Sequence, residues 1–299
     1  MANTLEKPKV IIFGASQSGL SALDKLAQDY SVLAFADNAM EKVGASLKGI
    51  PVISPLALSN YDFDKILIAS EFFEQIQKQL TSELNISPNK LEVLSTSYIK
   101  PLMLGGDGDM LALAEFILFL VCDALKKANV QFHVDAGTLL GIYRDGGLIP
   151  WDDDLDIAVP SEQALEAEQA LISVLPILAQ HTGKAWDVQV HKASRDFGAV
   201  PKGAIRGIKL KCVEDGVTLP MLDIFLKYIQ GDNMDYALSS RGLSMPSYHL
   251  KTLDYVEFKG QSIPIPSDVE GYLQRHYGDW KTPVKDWHLG MLKNATVFE

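Results

Sequence analysis

Four aspartates crowd into five positions, Asp152, Asp153, Asp154 and Asp156, and an apolar, strand-like run follows at once. Strand side chains alternate between faces, so Asp154 and Asp156 project together while Leu155 and Ile157 turn toward a core. Two carboxylates on one face repel each other unless a cation lies between them. An all-oxygen ligand set selects a hard ion, magnesium or manganese. A solvated acidic turn is the competing reading. The flanks Ile149-Pro150-Trp151 and Leu155-Asp156-Ile157 argue instead for partial burial. A third carboxylate, Asp223, lies inside the apolar run Met221-Leu222-Asp223-Ile224-Phe225-Leu226. A buried ionised aspartate must be paired, satisfied by backbone donors or bound to metal.

Phosphate chemistry is suggested by two further features. Gly137-Thr138 follows a strand pattern and opens the helical pattern Leu139–Tyr143. Backbone N–H groups at such a turn can hold a phosphate, and glycine lets it approach. Between Lys184 and Lys211 there are seven basic residues, among them Lys202, Arg206, Lys209 and Lys211, against Asp187 and Asp196 only. This local positive field suits a polyphosphate donor; a solvated strand face is the alternative for any one member. Near the N-terminus, Gly14-Ala15-Ser16-Gln17-Ser18-Gly19 resembles a dinucleotide fingerprint with serine at the middle glycine. Asp37 ends the next strand, near the place of a ribose-binding acid. Gly14, Ser16, Gly19 and Asp37 are therefore candidates for a nucleotide or sugar-nucleotide site, with a purely structural or docking domain as the alternative.

These residues must be positioned by two successive folding units. Strand patterns at Lys9–Phe13, Ser31–Ala36, Ile50–Ile53 and Lys65–Ala69 alternate with helical patterns at Gln17–Gln28 and Glu71–Leu84. Such alternation predicts a parallel sheet covered by helices. Pro101 and the run Gly105-Gly106-Asp107-Gly108 interrupt both periods. The expected division is 1–104, Rossmann-like, and 105–299, an α+β catalytic domain. The second domain is expected to open with a helix over Asp109–Asn129. Its expected strands are Val130–Val134, Leu155–Val159, Ile205–Cys212, Met221–Tyr228 and Tyr255–Phe258. Helices are expected at Glu162–Gln180 and Ser267–His276.

The chain has 299 residues and a formal net charge of −11, with 47% hydrophobic and 22% charged residues. That is a globular composition, and the acidity opposes binding to nucleic acid or anionic lipid. Cys122 and Cys212 are far apart, match no metal motif and suit a reducing compartment. The opening residues carry no apolar stretch, and Met110–Leu125 is broken by Glu115 and Asp123. The expectation is a cytoplasmic protein without a transmembrane segment. An oligomer is compatible with the sequence.

The run GTLLGIYRDGGLIPWDDDLDI resembles the signature of the LicD family, which includes bacterial phosphocholine transferases and fukutin-related ribitol-phosphate transferases. LDIF around Asp223, VEFKGQSIPIP at 256–266 and YLQRHYGDWKTP at 272–283 are similar to later family segments, so the resemblance spans about 110–288. It implies a nucleotidyltransferase-like fold in which Asp154, Asp156 and Asp223 hold Mg2+ or Mn2+ and Asp152 borders the site. Gly137 and Thr138 would contact donor phosphate, and Arg144 would support phosphate or the acidic loop. The implied activity is transfer of phosphocholine, ribitol-phosphate or glycerol-phosphate from a CDP-linked donor to a glycan or lipid-linked sugar, in cell-surface polysaccharide biosynthesis. A nucleotidyltransferase that releases pyrophosphate and a non-catalytic sugar-nucleotide-binding module are the rivals. Asp145 departs from the family, where histidine often follows the arginine, and bears on donor identity. The segment FADNAMEKVGASLKGIPVISP is similar to N-terminal Rossmann-like domains of some sugar acetyltransferases.

Overall fold

The computed structural model describes residues 7–106, 108–238 and 241–297. Asp107, in the expected linker, and the first six residues lie outside the described set. The chain forms two compact units. One comprises the residues up to Pro101 together with Val284–Gly290; the other comprises Leu102–Pro283 and the residues from Met291 on.

The first unit contains β1 (Lys9–Phe13), α1 (Gln17–Leu26), β2 (Ser31–Ala36), β3 (Ser46–Leu47), β4 (Ile50–Ile53), β5 (Lys65–Ile68), α2 (Phe73–Lys78), β6 (Leu91–Val93) and α3 (Thr96–Ile99). The sheet order is β3-β4-β2-β1-β5-β6, parallel throughout except for the β3–β4 hairpin. This is a Rossmann-like doubly wound order, with its switch point at β1. Val10 and Ile12 enter one apolar cluster and Ile11 and Phe13 another, so both sheet faces are buried. Continuous apolar strands are the result. The helix expected over Glu71–Leu84 is shorter, because after Lys78 the backbone widens into a π-helical turn over Gln79–Glu83.

The second unit opens with α4 (Gly108–Lys127), β7 (His133–Val134), α5 (Ala136–Leu140), β8 (Asp154–Pro160) and α6 (Ala164–Thr182). A sheet-forming stretch follows: β9 (Trp186–Lys192), β10 (Ile205–Cys212), β11 (Met221–Gln230), β12 (Asn233–Ala237) and β13 (Arg241–Pro246). It ends with α7 (Tyr248–Lys251), the β14 (Leu253–Phe258) and β15 (Gln261–Pro266) hairpin, α8 (Val269–Tyr277) and β16 (Ala295–Val297). The main sheet runs β16-β13-β12-β11-β10-β9, with β8 paired in parallel to β11 and β7 antiparallel to β8. Helices α4 and α6 pack on the same apolar core as β8, β10 and β11, which makes this unit α+β. The strand expected from Val130 is cut to two residues, because the Gln131 N–H donates to the Gln163 side chain and not to a strand. Among the described residues, no helix is long and apolar enough to cross a membrane.

Candidate active site

Strand β8 begins at Asp154, so the carboxylate pair expected from the alternation is built into regular sheet. In the parallel β8–β11 pair Asp156 is registered with Asp223, and Asp154 with Met221. Asp156 and Asp223 are thus lateral neighbours, both buried. Asp152, Asp153 and Asp154 are half-buried, and a carboxylate oxygen from each lies within 4.8 Å of the others.

Both backbone polar groups of Asp156 are held by the turn that starts α5. Its N–H donates to Thr138 Oγ1 at 2.8 Å, and its carbonyl accepts from the Asp135 N–H at 2.9 Å. Asp135 caps α5, its Oδ1 accepting from the Ala136 N–H at 2.8 Å. Ala136 takes φ 42°, a left-handed value that costs a non-glycine residue energy and lets the chain turn sharply from β7 into the helix. At Gly137 a Cβ would collide with Asp152 Oδ2 and come within 3.8 Å of Asp156 Oδ2. Glycine therefore gives the Asp152 carboxylate room against the backbone.

The electrostatics of this cluster are severe. Burial, then Asp154, Asp152, Asp223 and Asp135, push Asp156 well above the usual carboxylate range. Lys209, registered opposite Asp223 on β10, answers part of the charge, its Nζ lying 2.7 Å from Asp223 Oδ2. Burial pulls Lys209 down, but Asp223, with Asp154 and Asp156, holds it above its ordinary value. Asp223 Oδ1 remains buried without a hydrogen-bond partner among the described residues. Clustered carboxylates and an unsatisfied oxygen suit a hard divalent cation.

Arg206 reaches this neighbourhood through a bulge. The β9–β10 register slips between Ile205 and Gly207, leaving Arg206 as the extra residue. Simple alternation would put Arg206 and Lys209 on opposite faces; a bulge re-aims a side chain. Burial lowers the Arg206 guanidinium while Asp223 opposes the change. His191, opposite Gly207, is lowered by burial and then by Arg206 and Lys209. Lys211 pairs in register with Asp187 on β9. Lys202 is exposed in the preceding turn, where its N–H donates to Asp196 at 2.8 Å. Arg144 forks onto Asp145 at 2.8 and 2.7 Å and donates to the Trp280 carbonyl at 3.2 Å. Its guanidinium is thereby committed to the residue that departs from the family pattern.

A second, fully buried polar layer was not foreseen from the sequence. It contains His133, Asp135, Lys227, Tyr236, Tyr272 and His276. Lys227 Nζ lies 2.7 Å from Asp135 Oδ2 and 3.0 Å from the Tyr236 ring centroid, and the Tyr272 hydroxyl donates to Asp135 Oδ1 at 2.6 Å. Burial raises Asp135, but Lys227, then His133 and His276, outweigh it and hold the carboxyl well below its usual range. A lysine inside the apolar run of β11 was the available signal.

In the first unit, Gly14 has φ 121° and a Cβ there would press on the Ala69 carbonyl. A Cβ on Gly19 would strike the Gly14 carbonyl, so this glycine permits close packing of α1 on the loop. Ser16 is exposed at the α1 N-cap and makes no capping bond. Asp37 Oδ2 accepts from Ala15 N–H at 2.8 Å and Lys42 Nζ at 2.9 Å, and Oδ1 accepts from Ala39 N–H at 2.9 Å. Both Asp37 oxygens thus tie the β1–α1 loop to the end of β2. Burial acts to raise its value, but Ala39, Lys42 and Ala15 together hold it low.

Residues 129–268 match the model of the LicD/FKTN/FKRP nucleotidyltransferase domain, and residues 6–92 match that of the C2185-like N-terminal domain. The human ribitol-5-phosphate transferase FKTN is 25% identical over 185 residues, covering 58% of this chain and 34% of that protein. An uncharacterised protein of Rickettsia prowazekii (strain Madrid E) is 28% identical over 163 residues, covering 53% of this chain and 51% of that one. The chain thus spans between about a third and half of these relatives' lengths. Among solved structures, the lincomycin-bound lincosamide antibiotic adenylyltransferase LnuA is 18% identical, with a TM-score of 0.35 over 53% of this chain and 84% of that one. Asp135, Asp152, Asp154, Asp156, Asp223 and Lys227 all fall within 129–268.

Proposed function

Residues 129–268 belong to the LicD/FKTN/FKRP nucleotidyltransferase family, and from that premise we propose that the chain transfers a phospho-alcohol group from a CDP-linked donor to a sugar hydroxyl of a glycan. The observation that carries the reading is the lateral pair Asp156–Asp223, buried beside Asp154 and Asp152 with one carboxylate oxygen unsatisfied. Asp154, Asp156 and Asp223 would hold magnesium or manganese, with Asp152 and Asp153 at the rim. A bound cation would supply positive charge to the donor phosphate oxygens.

The chain's own residues divide the remaining work. Lys209 and Arg206 line the site beside Asp223 and bind donor phosphate, with Lys202 and Lys211 further along the basic stretch. Gly137 and Thr138 fix the carboxylate frame against which the donor lies. The acceptor hydroxyl oxygen attacks the phosphorus bearing the alcohol, the bond to CMP breaks, and Asp152 or Asp154 accepts the hydroxyl proton. The products are CMP and a phosphodiester on the glycan. We place the reaction in the cytoplasm, in the building of cell-surface polysaccharide. In the first unit, Gly14, Ser16, Gly19 and Asp37 frame a separate ligand or docking face.

The test is a donor panel of CDP-choline, CDP-glycerol, CDP-ribitol and UDP-glucose with sugar acceptors, read by mass spectrometry. The expected result is CMP release and a phospho-alcohol adduct. Release of pyrophosphate with a nucleotide adduct would replace this reading by nucleotidyl transfer. Tight donor binding without turnover on any acceptor would favour a binding module.

A further inference from the structure

Lys227 stands four residues beyond Asp223 on β11, so both side chains emerge on one face of the strand. It is 0% exposed, and its ion-pair partner Asp135 is 1% exposed. Few lysines are buried this completely. Burial lowers Lys227 from its ordinary value, with Asp135 opposing. The 2.7 Å contact and the depressed Asp135 make the ionised pair the form we assign. Tyr236 covers the ammonium with its ring face, 3.0 Å from Nζ to the centroid, and Phe225 lies 5.7 Å away.

An ion pair of this kind is a poor way to stabilise a core. Desolvation of the two charges offsets much of their attraction, and well-packed apolar residues often serve as well or better. What the pair does is hold one end of a short mechanical path. Asp135 Oδ2 meets Lys227, while Oδ1 accepts from the Tyr272 hydroxyl at 2.6 Å and the Ala136 N–H at 2.8 Å. The Asp135 N–H then reaches the Asp156 carbonyl at 2.9 Å, and Thr138, one turn on, receives the Asp156 N–H at 2.8 Å. Gly137, between them, backs the Asp152 carboxylate. Every link from Lys227 to the backbone of Asp156 is therefore a close polar contact, and the path includes the left-handed Ala136.

We propose that Asp135 and Lys227 are positioning residues: their buried pair sets the first turn of α5 and, through it, the placement of Asp156 and Asp152 for a divalent cation. The proposal rests on the reading of Asp154, Asp156 and Asp223 as a cation site. Outer partners of this kind typically change metal affinity by about 10–100-fold when removed.

The experiment measures Mn2+ affinity by calorimetry on the full chain, without donor, together with the thermal midpoint. Lys227→Met and Asp135→Asn each leave a lone buried charge or an unmatched partner, and both are expected to lower the midpoint. The double variant Asp135→Asn/Lys227→Met has no lone charge and is expected to regain most of the wild-type midpoint. Its Mn2+ affinity should nevertheless stay at least about tenfold below wild type. Tyr272→Phe removes one hydrogen bond to Asp135 without changing charge and should weaken Mn2+ about three- to tenfold. If the single variants do not fold, the double variant and Tyr272→Phe decide. Wild-type Mn2+ affinity in the well-folded double variant would overturn the positioning role while leaving the cation site intact. Absence of Mn2+ binding to the wild type would overturn the cation reading and this proposal with it.

Discussion

Asp156 and Asp223 occupy paired positions of the parallel strands β8 and β11, so two buried carboxylates stand side by side in one sheet. Lys209 Nζ contacts Asp223 directly, at Oδ2. Burial, and then Asp154, Asp152 and Asp223, raise the proton affinity of Asp156. Such clustering is unfavourable in itself, and on the cation-site reading proposed above a bound divalent ion would relieve it.

That relationship gives Asp156→Asn an unusual expected signature. Removing one carboxylate from the cluster relieves its mutual repulsion and is expected to raise the cation-free thermal midpoint. The same change should abolish the stabilisation expected of Mn2+ in the wild type. Differential scanning calorimetry in chelator and in Mn2+ separates the two effects. A lower cation-free midpoint with an intact Mn2+ response would contradict the role assigned to Asp156.

Gly137→Ala should damage the site more than the fold. The added Cβ has to displace the Asp152 carboxylate. A displacement near 1 Å at a reacting centre can cost about 100-fold in rate, so turnover should fall by roughly that factor. Circular dichroism should remain unchanged, and stability should fall by about 1–3 kcal/mol at most. Steady-state kinetics check this; wild-type turnover would show that Asp152 is dispensable where it stands.

Much of this site is legible locally and the rest is not. The period of two puts Asp154 and Asp156 on one face, and β8 obeys it. That Asp223 would land beside Asp156 and not Asp154 depends on strand register, which no local period encodes. Arg206 defeats the period outright, because the bulge gives β10 one extra residue against β9. Asp135 and Lys227 are the furthest from view. Each looks like a break in an apolar pattern until the fold brings them together. The strand Trp186–Lys192 was not among those expected, although Trp186, Val188 and Val190 alternate with polar residues and carry the period that marks it. The two-residue β3, which pairs as a hairpin with β4, is too short for any period to reveal.

The buried histidines predict acid sensitivity with a definite sign. Burial lowers His133 and His276 from 6.5 to about 4 in the folded chain. Between those values the unfolded chain binds more protons, so stability is present above pH 6.5 and is lost as pH falls toward 4. Each histidine contributes roughly 3 kcal/mol to that loss. Asp156 acts with the opposite sign, because its raised value makes the folded chain the better proton binder. The measurement therefore uses Asp156→Asn, comparing urea unfolding from pH 7 to pH 4 with and without His276→Phe. The second substitution should remove roughly 3 kcal/mol of the decline; an unchanged slope would show that His276 titrates normally.

The last prediction concerns where the second unit begins. The Leu104 N–H donates to the Asp152 carbonyl at 2.8 Å, and the Gly105 N–H donates to the Pro150 carbonyl at 2.7 Å. A Cβ on Gly105 would press on Pro150 at 2.5 Å, so this glycine is needed for the close approach. The segment that reads in sequence as a spacer is thus a clamp on the acidic loop. A chain starting at Leu102 keeps the clamp; one starting at Asp107 loses both hydrogen bonds and frees the backbone of Asp152. We expect the Leu102 start to bind Mn2+ within about threefold of the full chain and the Asp107 start at least about tenfold more weakly, as for loss of an outer partner. Val284–Gly290 should behave differently, because it belongs to the first unit. There Thr96 Oγ1 donates to the Lys285 carbonyl at 3.0 Å, and the Phe73 and His288 rings meet edge-on at 4.8 Å. Both shortened chains lose these contacts, so both should be cut by trypsin at Lys285 faster than the full chain. Equal Mn2+ affinity for the two starts would show that the clamp does not position Asp152. A folded Leu102 start without Mn2+ binding would show that the cation site needs the first unit.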